Sequence, residues 1–185
     1  MRFNIIKKRY AMAIDTRKCV GCSACVIACK EENGVPLADF RSWIATETRG
    51  TFPNLAMEIR RETCEHCGDA PCVANCPTGA SYYAKGGTVL VDHDLCTGCK
   101  ACIAACPYDA RYIHTDGYAD KCTFCLHRVE KGLQPACVAA CPTKSLTFGD
   151  VNDPASSIAK LLRTRQWKQL KTEAGTKPNL YFLEG

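Results

Sequence analysis

The sequence has no run of about 18 apolar residues, so we expect no membrane-spanning helix. It also lacks a dinucleotide fingerprint, a phosphate-binding loop and a serine elbow, which argues against a catalytic chain of those classes. Residues 1–9 are basic, but no apolar stretch follows them, and the Arg60-Arg61 pair lies deep in the chain. We therefore expect neither a secretory nor a twin-arginine signal.

Cysteine, by contrast, is abundant, with 16 residues in a chain of 185. Only two classes of protein commonly reach this density, namely secreted disulfide scaffolds and proteins that bind metal through thiolates. The expected lack of a signal weakens the disulfide interpretation. If the sulfurs bind metal, much of the interior is inorganic and the apo chain has little core of its own.

The net charge of +5 is compatible with nucleic-acid binding if every cysteine is counted as neutral. A [4Fe–4S] cluster with four thiolates carries about −2, so four clusters would bring the total from +5 to about −3. We therefore interpret the basic surplus as compensation for cluster charge.

The cysteines form four groups of four, and the last three groups each end in Cys-Pro. The first and third groups have the C-x2-C-x2-C-x3-C spacing of bacterial ferredoxins, in which the fourth cysteine binds the neighbouring cubane. The second group has the spacing C-x2-C-x4-C-x3-C, and the fourth has C-x2-C-x11-C-x3-C. In chain order the groups are Cys19, Cys22, Cys25 and Cys29; Cys64, Cys67, Cys72 and Cys76; Cys96, Cys99, Cys102 and Cys106; Cys122, Cys125, Cys137 and Cys141.

Three other uses of these residues are less compatible with the pattern. Structural zinc usually takes two separated C-x2-C pairs, which only the fourth group resembles. Disulfides between cysteines separated by only two residues would be strained. The four histidines lie near the cysteines, but all sixteen thiols are present and leave no ligand position vacant. We expect these histidines, His66, His93, His114 and His127, to lie beside the ligands or at the surface.

With these four groups in this order, the chain resembles the iron–sulfur electron-transfer subunits of membrane-bound molybdopterin oxidoreductases. That family includes polysulfide, thiosulfate, dimethyl sulfoxide, tetrathionate and arsenate reductases. The likeness extends over about residues 10–150. The segment Tyr10–Asp15 leading into Cys19, in so short a chain, looks most like the polysulfide/thiosulfate type.

The resemblance implies four [4Fe–4S] clusters, because the third group has all the cysteines that a cubane needs. It implies no catalytic residues in this chain. It also implies that the first group exchanges ligands with the fourth, and the second with the third. Cluster 1 would take Cys19, Cys22, Cys25 and Cys141; cluster 2 Cys29, Cys122, Cys125 and Cys137; cluster 3 Cys64, Cys67, Cys72 and Cys106; cluster 4 Cys76, Cys96, Cys99 and Cys102.

This exchange implies an α+β, loop-rich fold of two interlaced bacterial ferredoxin-like modules built around the clusters. Residues 11–30 and 118–150 would form the first module, and residues 58–115 the second, inserted in the first. Residues 31–57 would be an inter-module insertion with little periodicity, and residues 151–185 a C-terminal helix and docking tail.

Local patterns predict a few elements directly. Residues 81–84 and 88–91 should form a β-hairpin around Lys85-Gly86-Gly87. Short strands are expected at residues 111–114 and 145–148, with an edge strand at 10–14. Asp153 should cap a helix that runs to about Leu170. Phe40, Trp43 and Phe52 should be packing residues.

By resemblance, the chain passes electrons between a quinone-reactive integral membrane anchor and a molybdopterin catalytic subunit of a respiratory reductase. It would lie at the cytoplasmic membrane through these partners, on the periplasmic face if co-exported with the catalytic subunit, or else on the cytoplasmic face. The alternatives are an electron-transfer subunit of a hydrogenase or formate dehydrogenase, a free multi-cluster ferredoxin, and a zinc-binding interaction module. Four cations adjoining the ligands could raise cluster potentials: Lys18, Lys100, Arg111 and Lys121.

Overall fold

A computed structural model describes residues 8–184. Most of the basic N-terminal segment, residues 1–7, and the last residue of the predicted tail, Gly185, lie outside the described residues. The strands are β1 (Tyr10–Asp15), β2 (Ser42–Thr51), β3 (Asn54–Thr63), β4 (Ser81–Tyr83), β5 (Val89–Val91), β6 (Tyr112–Ile113), β7 (Ala119–Asp120), β8 (Leu146–Asp150), β9 (Trp167–Lys168) and β10 (Leu180–Leu183). The helices are α1 (Ala24–Asn33), α2 (Pro71–Ala74), α3 (Ala101–Ala104), α4 (Leu126–Val129), α5 (Ala136–Ala139) and α6 (Ser157–Thr164).

The largest sheet has four strands in the order β8-β1-β10-β9. Strand β1 pairs antiparallel with β8, with Tyr10 opposite Asp150, and parallel with β10, with Met12 opposite Leu180. The strand predicted at residues 10–14 is therefore present but internal, and its prediction as an edge strand is wrong. The reason is that β10, from the end of the chain, covers its second edge.

Strand β1 is buried along its whole length because both faces of the sheet are covered. Because side chains alternate along a strand, Met12 and Ile14 point into the main core, which also contains seven of the cysteines. On the opposite face, Ala11 and Ala13 pack in a second cluster with Ile158 of helix α6. Two alanines there leave room for α6 to approach the sheet.

Three hairpins complete the strand pairing. The predicted hairpin at residues 81–91 is confirmed as β4 and β5, joined by a 3-10 turn at Lys85–Gly87. The segment expected to have little periodicity instead contains most of a long hairpin, in which β2 pairs with β3 from Ser42–Thr63 to Thr51–Asn54. Gly50 has a φ of +90° there, and a Cβ atom would lie 2.2 Å from the Asn54 carbonyl oxygen, so the turn requires glycine.

The C-terminal predictions need two corrections. The helix begins at Ser157, because the Ser156 hydroxyl, rather than Asp153, accepts a hydrogen bond from the Ala159 N–H and caps it. It ends at Thr164, because the chain then turns extended to form β9. The predicted docking tail is wrong for residues 180–183, which form β10 and are buried within the chain's own sheet.

The helices of the described residues are short. The longest, α1, has 10 residues. Within residues 8–184, no helix combines the length and the apolar character needed to cross a membrane.

Candidate metal centres

The cysteine loops curl tightly because several of their residues have left-handed backbone conformations. Gly21 and Ser23 have φ values of +69° and +60° before α1, and Gly98 and Lys100 have +65° and +63° before α3. Glycine is required at position 98, since a Cβ atom would lie 2.3 Å from the Gly117 carbonyl oxygen. Each loop thus bends around a point, as a chain with three closely spaced ligands on one inorganic core must.

One small cavity, partly open to solvent, has four cysteines from two distant segments of the chain in its wall. Burial raises the pKa of Cys25, Arg61 lowers it, and the neighbouring sulfurs raise it further. Helix α1 also packs against α5, which bridges the first and fourth groups. The cysteines in the cavity wall are Cys19, Cys22, Cys25 and Cys141.

A second small cavity likewise has four cysteines, from two of the groups, in its wall. Helix α2 packs against α3, which brings the second and third groups together. The cysteines in its wall are Cys76, Cys96, Cys99 and Cys102.

The remaining eight cysteines include the most deeply buried ones. Burial raises the pKa of Cys29 to about 12, with contributions from Cys122, Cys137 and Cys125. Burial likewise raises the pKa of Cys67 to about 12, with contributions from Cys64 and Cys72.

The last of the eight, Cys106, interacts electrostatically with the same residue as Cys67. Burial raises the pKa of Tyr108 to about 12, and Cys67 and Cys106 both contribute to the rise. The sulfurs of the second and third groups therefore approach each other here as well.

The buried thiols are poor thiolates until a metal binds. Burial raises the pKa of Cys64 and of Cys137 to about 11, so both are protonated at neutral pH in the free chain. Because iron ligands must be thiolates, ligation releases these protons and couples cluster insertion to folding.

Cys76 and Cys141 behave differently. Burial acts to raise the pKa of each, but hydrogen bonds outweigh it and lower the pKa. The Ser81 N–H lies 3.4 Å from Cys76 Sγ, and the Ser145 N–H lies 3.3 Å from Cys141 Sγ. Hydrogen bonds to sulfur are one of the factors that set the potential of an iron–sulfur cluster.

Two buried arginines face these sulfurs instead of carboxylates. Arg61 is 1% exposed and forms no ion pair among residues 8–184, and its Nε and Nη2 atoms have no hydrogen-bond partner. Arg111 Nη2 lies 2.9 Å from Cys72 Sγ. A buried cation needs compensating negative charge, which thiolate-ligated clusters supply. The residues present therefore fit such clusters.

The sequence interpretation missed Arg61, which it treated only as half of an Arg-Arg pair. The alternation of side chains between the two faces of β3 is the signal that could have identified it. Glu58, Arg60 and Glu62 share one face and form ion pairs there, whereas Arg61 lies on the opposite, buried face.

The cations proposed from sequence to tune the clusters differ in burial. Lys121 is buried and donates to the carbonyl oxygens of Val89 and Cys122, and Arg111 is buried as well. The Lys18 side chain is 59% exposed and lies 3.9 Å from Asp15, and Lys100 is exposed.

For Lys100→Met we expect each cluster's equilibrium constant for reduction to change by less than about threefold, because water screens an exposed charge. Redox-titrated EPR of the two proteins measures this. A larger change at any cluster would mean that an exposed lysine tunes the array.

The histidines are distributed much as expected. His66 is buried, stacks on Phe124 at 3.7 Å between ring centroids, and accepts a hydrogen bond from the Val89 N–H at Nδ1. His93 and His114 stack on Tyr118, and His127 contacts Glu32. No three Cys, His, Asp or Glu side chains within residues 8–184 are grouped as one metal ion would need.

Comparison with known proteins agrees with this geometry. Two sequence families, each described as "4Fe-4S dicluster domain", match residues 55–151 and residues 18–80. The first match alone covers more than half of the chain. The protein belongs to the 4Fe-4S dicluster family. Two dicluster matches imply four [4Fe–4S] clusters, for which the 16 cysteines supply four ligands each. This dicluster protein is therefore an iron–sulfur electron-transfer protein of mixed helix and strand content.

Curated relatives match nearly the whole chain. "Protein NrfC homolog" from Haemophilus influenzae is 50% identical over 180 residues, covering 95% of this chain and 80% of the relative. A polysulfide reductase subunit from Wolinella succinogenes is 44% identical over 180 residues, covering 95% and 94%. A tetrathionate reductase subunit from Salmonella typhimurium is 43% identical over 183 residues, covering 96% and 73%.

Proposed function

We propose that this dicluster protein relays electrons between a quinone-reactive membrane anchor subunit and a molybdopterin catalytic subunit of a respiratory reductase. Relatives named as subunits of polysulfide, tetrathionate and selenate reductases support this role. The polysulfide type is favoured because the aligned region covers 94% of the relative from polysulfide reductase. The association with the membrane, and the face on which the protein lies, then follow from its partners.

The observation that carries the proposal is the arrangement of the sixteen cysteines into four sets. The two cavities, each with four cysteines in its wall, support the ligand sets of clusters 1 and 4. The electrostatic neighbours of Cys29 support cluster 2, and those of Cys67 and Tyr108 support cluster 3. When bound, the clusters supply reversible one-electron transfer. The chain's own residues fix the cluster positions and their electrostatic surroundings.

The contacts between sets support a linear order from cluster 1 to cluster 4. Helix α1 carries Cys25 of cluster 1 and Cys29 of cluster 2, four residues apart. Cys122 of cluster 2 raises the pKa of Cys64 of cluster 3, where burial is the larger cause. Burial also raises the pKa of Cys102 of cluster 4, and Cys72 of cluster 3 adds to the rise.

The ends of this series are the accessible parts of the array. Cys22 of cluster 1 and Cys99 of cluster 4 are the exposed cysteines, and those of clusters 2 and 3 are buried apart from the half-buried Cys106. Electrons would therefore enter near one exposed cysteine and leave near the other, with the buried clusters between them.

The same contacts support two interlaced modules. Strand β1 pairs with β8, and α1 packs against α5, which joins residues 11–30 to residues 118–150. The β4–β5 hairpin and the α2–α3 contact lie within residues 58–115. The boundary between residues 57 and 58 falls inside β3, so the long hairpin belongs partly to the insertion and partly to the second module.

Metal analysis after anaerobic purification tests the proposal. We expect about 16 Fe and about 16 acid-labile sulfides per chain, and a broad brown absorbance that dithionite bleaches. From native membranes, the protein should co-purify with a molybdopterin subunit and an integral membrane subunit.

Other outcomes would contradict specific parts of the proposal. A colourless, folded, zinc-containing protein would overturn the electron-transfer role. A monomer with four clusters and no large partner would indicate a free ferredoxin. Co-purification with a hydrogenase would mean that the catalytic partner is a hydrogenase and not a molybdopterin subunit.

A further inference from the structure

Arg61 is among the largest fully buried side chains in residues 8–184, and its contacts do not account for its charge. Among the described residues, its side chain donates a single hydrogen bond, from Nη1 to Met12 Sδ at 3.5 Å, and a thioether sulfur is a weak acceptor. No carboxylate of the described chain lies within ion-pair distance of it. A buried charge without a partner is strongly destabilising, so an arginine here requires negative charge from another source.

The groups that act most strongly on Arg61 are cysteines of two different sets, which carry negative charge once they bind a cluster. Burial alone would lower the pKa of Arg61, but Cys137, Cys122, Cys25 and Cys29 more than offset this effect, and the pKa is raised. Of these four, Cys25 belongs to the proposed cluster 1 and the other three to cluster 2. Arg61 also forms part of the wall of the cavity assigned to cluster 1. The guanidinium therefore borders the cavity of cluster 1 and also interacts electrostatically with sulfurs of cluster 2.

Arg111 occupies the corresponding position in the other half of the array. Burial acts to lower its pKa, and Cys72, Cys64 and Cys102 raise it. Cys64 and Cys72 belong to the proposed cluster 3, and Cys102 to cluster 4. Its Nη1 donates to Ser81 Oγ at 2.8 Å, whereas its Nε has no partner. Each pair of clusters thus has its own buried arginine.

When a cluster is reduced, its electrostatic attraction to a buried arginine beside it becomes stronger. Each reduction adds one electron and changes the cluster with its thiolates from about −2 to about −3, with no bond made or broken. A fixed cation nearby stabilises the more negative state, and burial keeps water from screening it. Arginine suits this role because it stays protonated.

We propose that Arg61 sets the reduction potentials of clusters 1 and 2, and that Arg111 does the same for clusters 3 and 4. This division rests on the proposed electron-transfer function and its ligand sets. It gives the two cluster pairs independently adjustable potentials, so a substitution at one arginine acts on one half of the array. In this role each arginine acts on the clusters only through its charge, and neither binds substrate.

The test is redox-titrated EPR on the full-length holoprotein, with iron content measured in every sample. For Arg61→Met we expect two of the four clusters to become harder to reduce by at least tenfold in equilibrium constant, which corresponds to about 59 mV for one electron. Arg61→Lys keeps the charge and should shift the same two clusters by less than half as much. Arg111→Met should shift the other two.

A second route neutralises Arg61 without removing it. Met12 contacts the guanidinium, so Met12→Glu adds a carboxylate beside it, and Met12→Gln is the neutral control of similar size. Met12→Glu should shift the same two clusters as Arg61→Met, and Met12→Gln should not.

Each outcome supports or overturns the proposal. If Arg61→Met loses iron, so that its potentials cannot be measured, the comparison of Met12→Glu with Met12→Gln decides the proposal. Unchanged potentials in an iron-replete Arg61→Met protein, equal shifts in both Arg61 variants, or shifts spread over all four clusters would overturn it. Absence of clusters from the wild-type protein would instead overturn the proposed function.

Discussion

Cys141→Ser is expected to abolish or alter the EPR signal of cluster 1, whereas Cys137→Ser, only four positions earlier, should do so for cluster 2. Cys141 lies in the wall of the cavity that also contains Cys19, Cys22 and Cys25. Among the cysteines, Cys137 interacts most strongly with Cys122 and Cys125, and it also raises the pKa of Cys29. Cys137 lies in α5 and Cys141 two residues after its end, so one short segment supplies ligands to two clusters.

The measurements are EPR of the dithionite-reduced proteins and iron analysis, with a loss of up to about 4 Fe per chain in each variant. Ala140→Ser is the matched control, because it adds a hydroxyl at an exposed site between the two cysteines without removing a thiolate. If both cysteine variants affected the same signal, the ligand exchange between the first and fourth groups would be refuted.

Phe182→Ala should lower the free energy of unfolding by about 3–5 kcal/mol, because it empties a fully buried position in the central sheet. The matched control is Phe52→Ala. Phe52 is 87% exposed at the end of the long hairpin, so the same change there should cost less than about 0.5 kcal/mol.

Anaerobic urea titration, followed by cluster absorbance and circular dichroism, compares the two variants. Equal midpoints would mean that β10 contributes little to the stability of the sheet. That result would restore the interpretation of the C-terminal residues as a docking tail.

The contrast between the two phenylalanines reflects the limits of sequence interpretation. Phe52 was predicted to be a packing residue, which is wrong, whereas Phe182 was predicted to lie in a docking tail and is buried. The run Leu180–Leu183 is equally compatible with docking to another subunit and with a place inside the sheet. Its parallel pairing with β1, some 170 residues away in sequence, has no local signature.

Nearby residues were more predictable. The Lys85-Gly86-Gly87 turn predicted its hairpin correctly because the flanking strands are adjacent in sequence. The long β2–β3 hairpin was missed, although Gly50, Pro53 and Asn54 mark its turn. The helix limits at 153 and 170 were wrong because the Ser156 cap and the pairing of β9 decided them.

The sequence by itself determined the inorganic chemistry. The spacing of cysteines within each group is a local property, and a thiolate loop of that length suits a cubane whatever surrounds it. Only the tertiary structure decided which groups approach each other, which cysteines stay exposed, and that Arg61 and Arg111 are buried among the sulfurs. These features depend on contacts between distant segments, whose energies come from shared burial and charge compensation and are not encoded in any single stretch of chain.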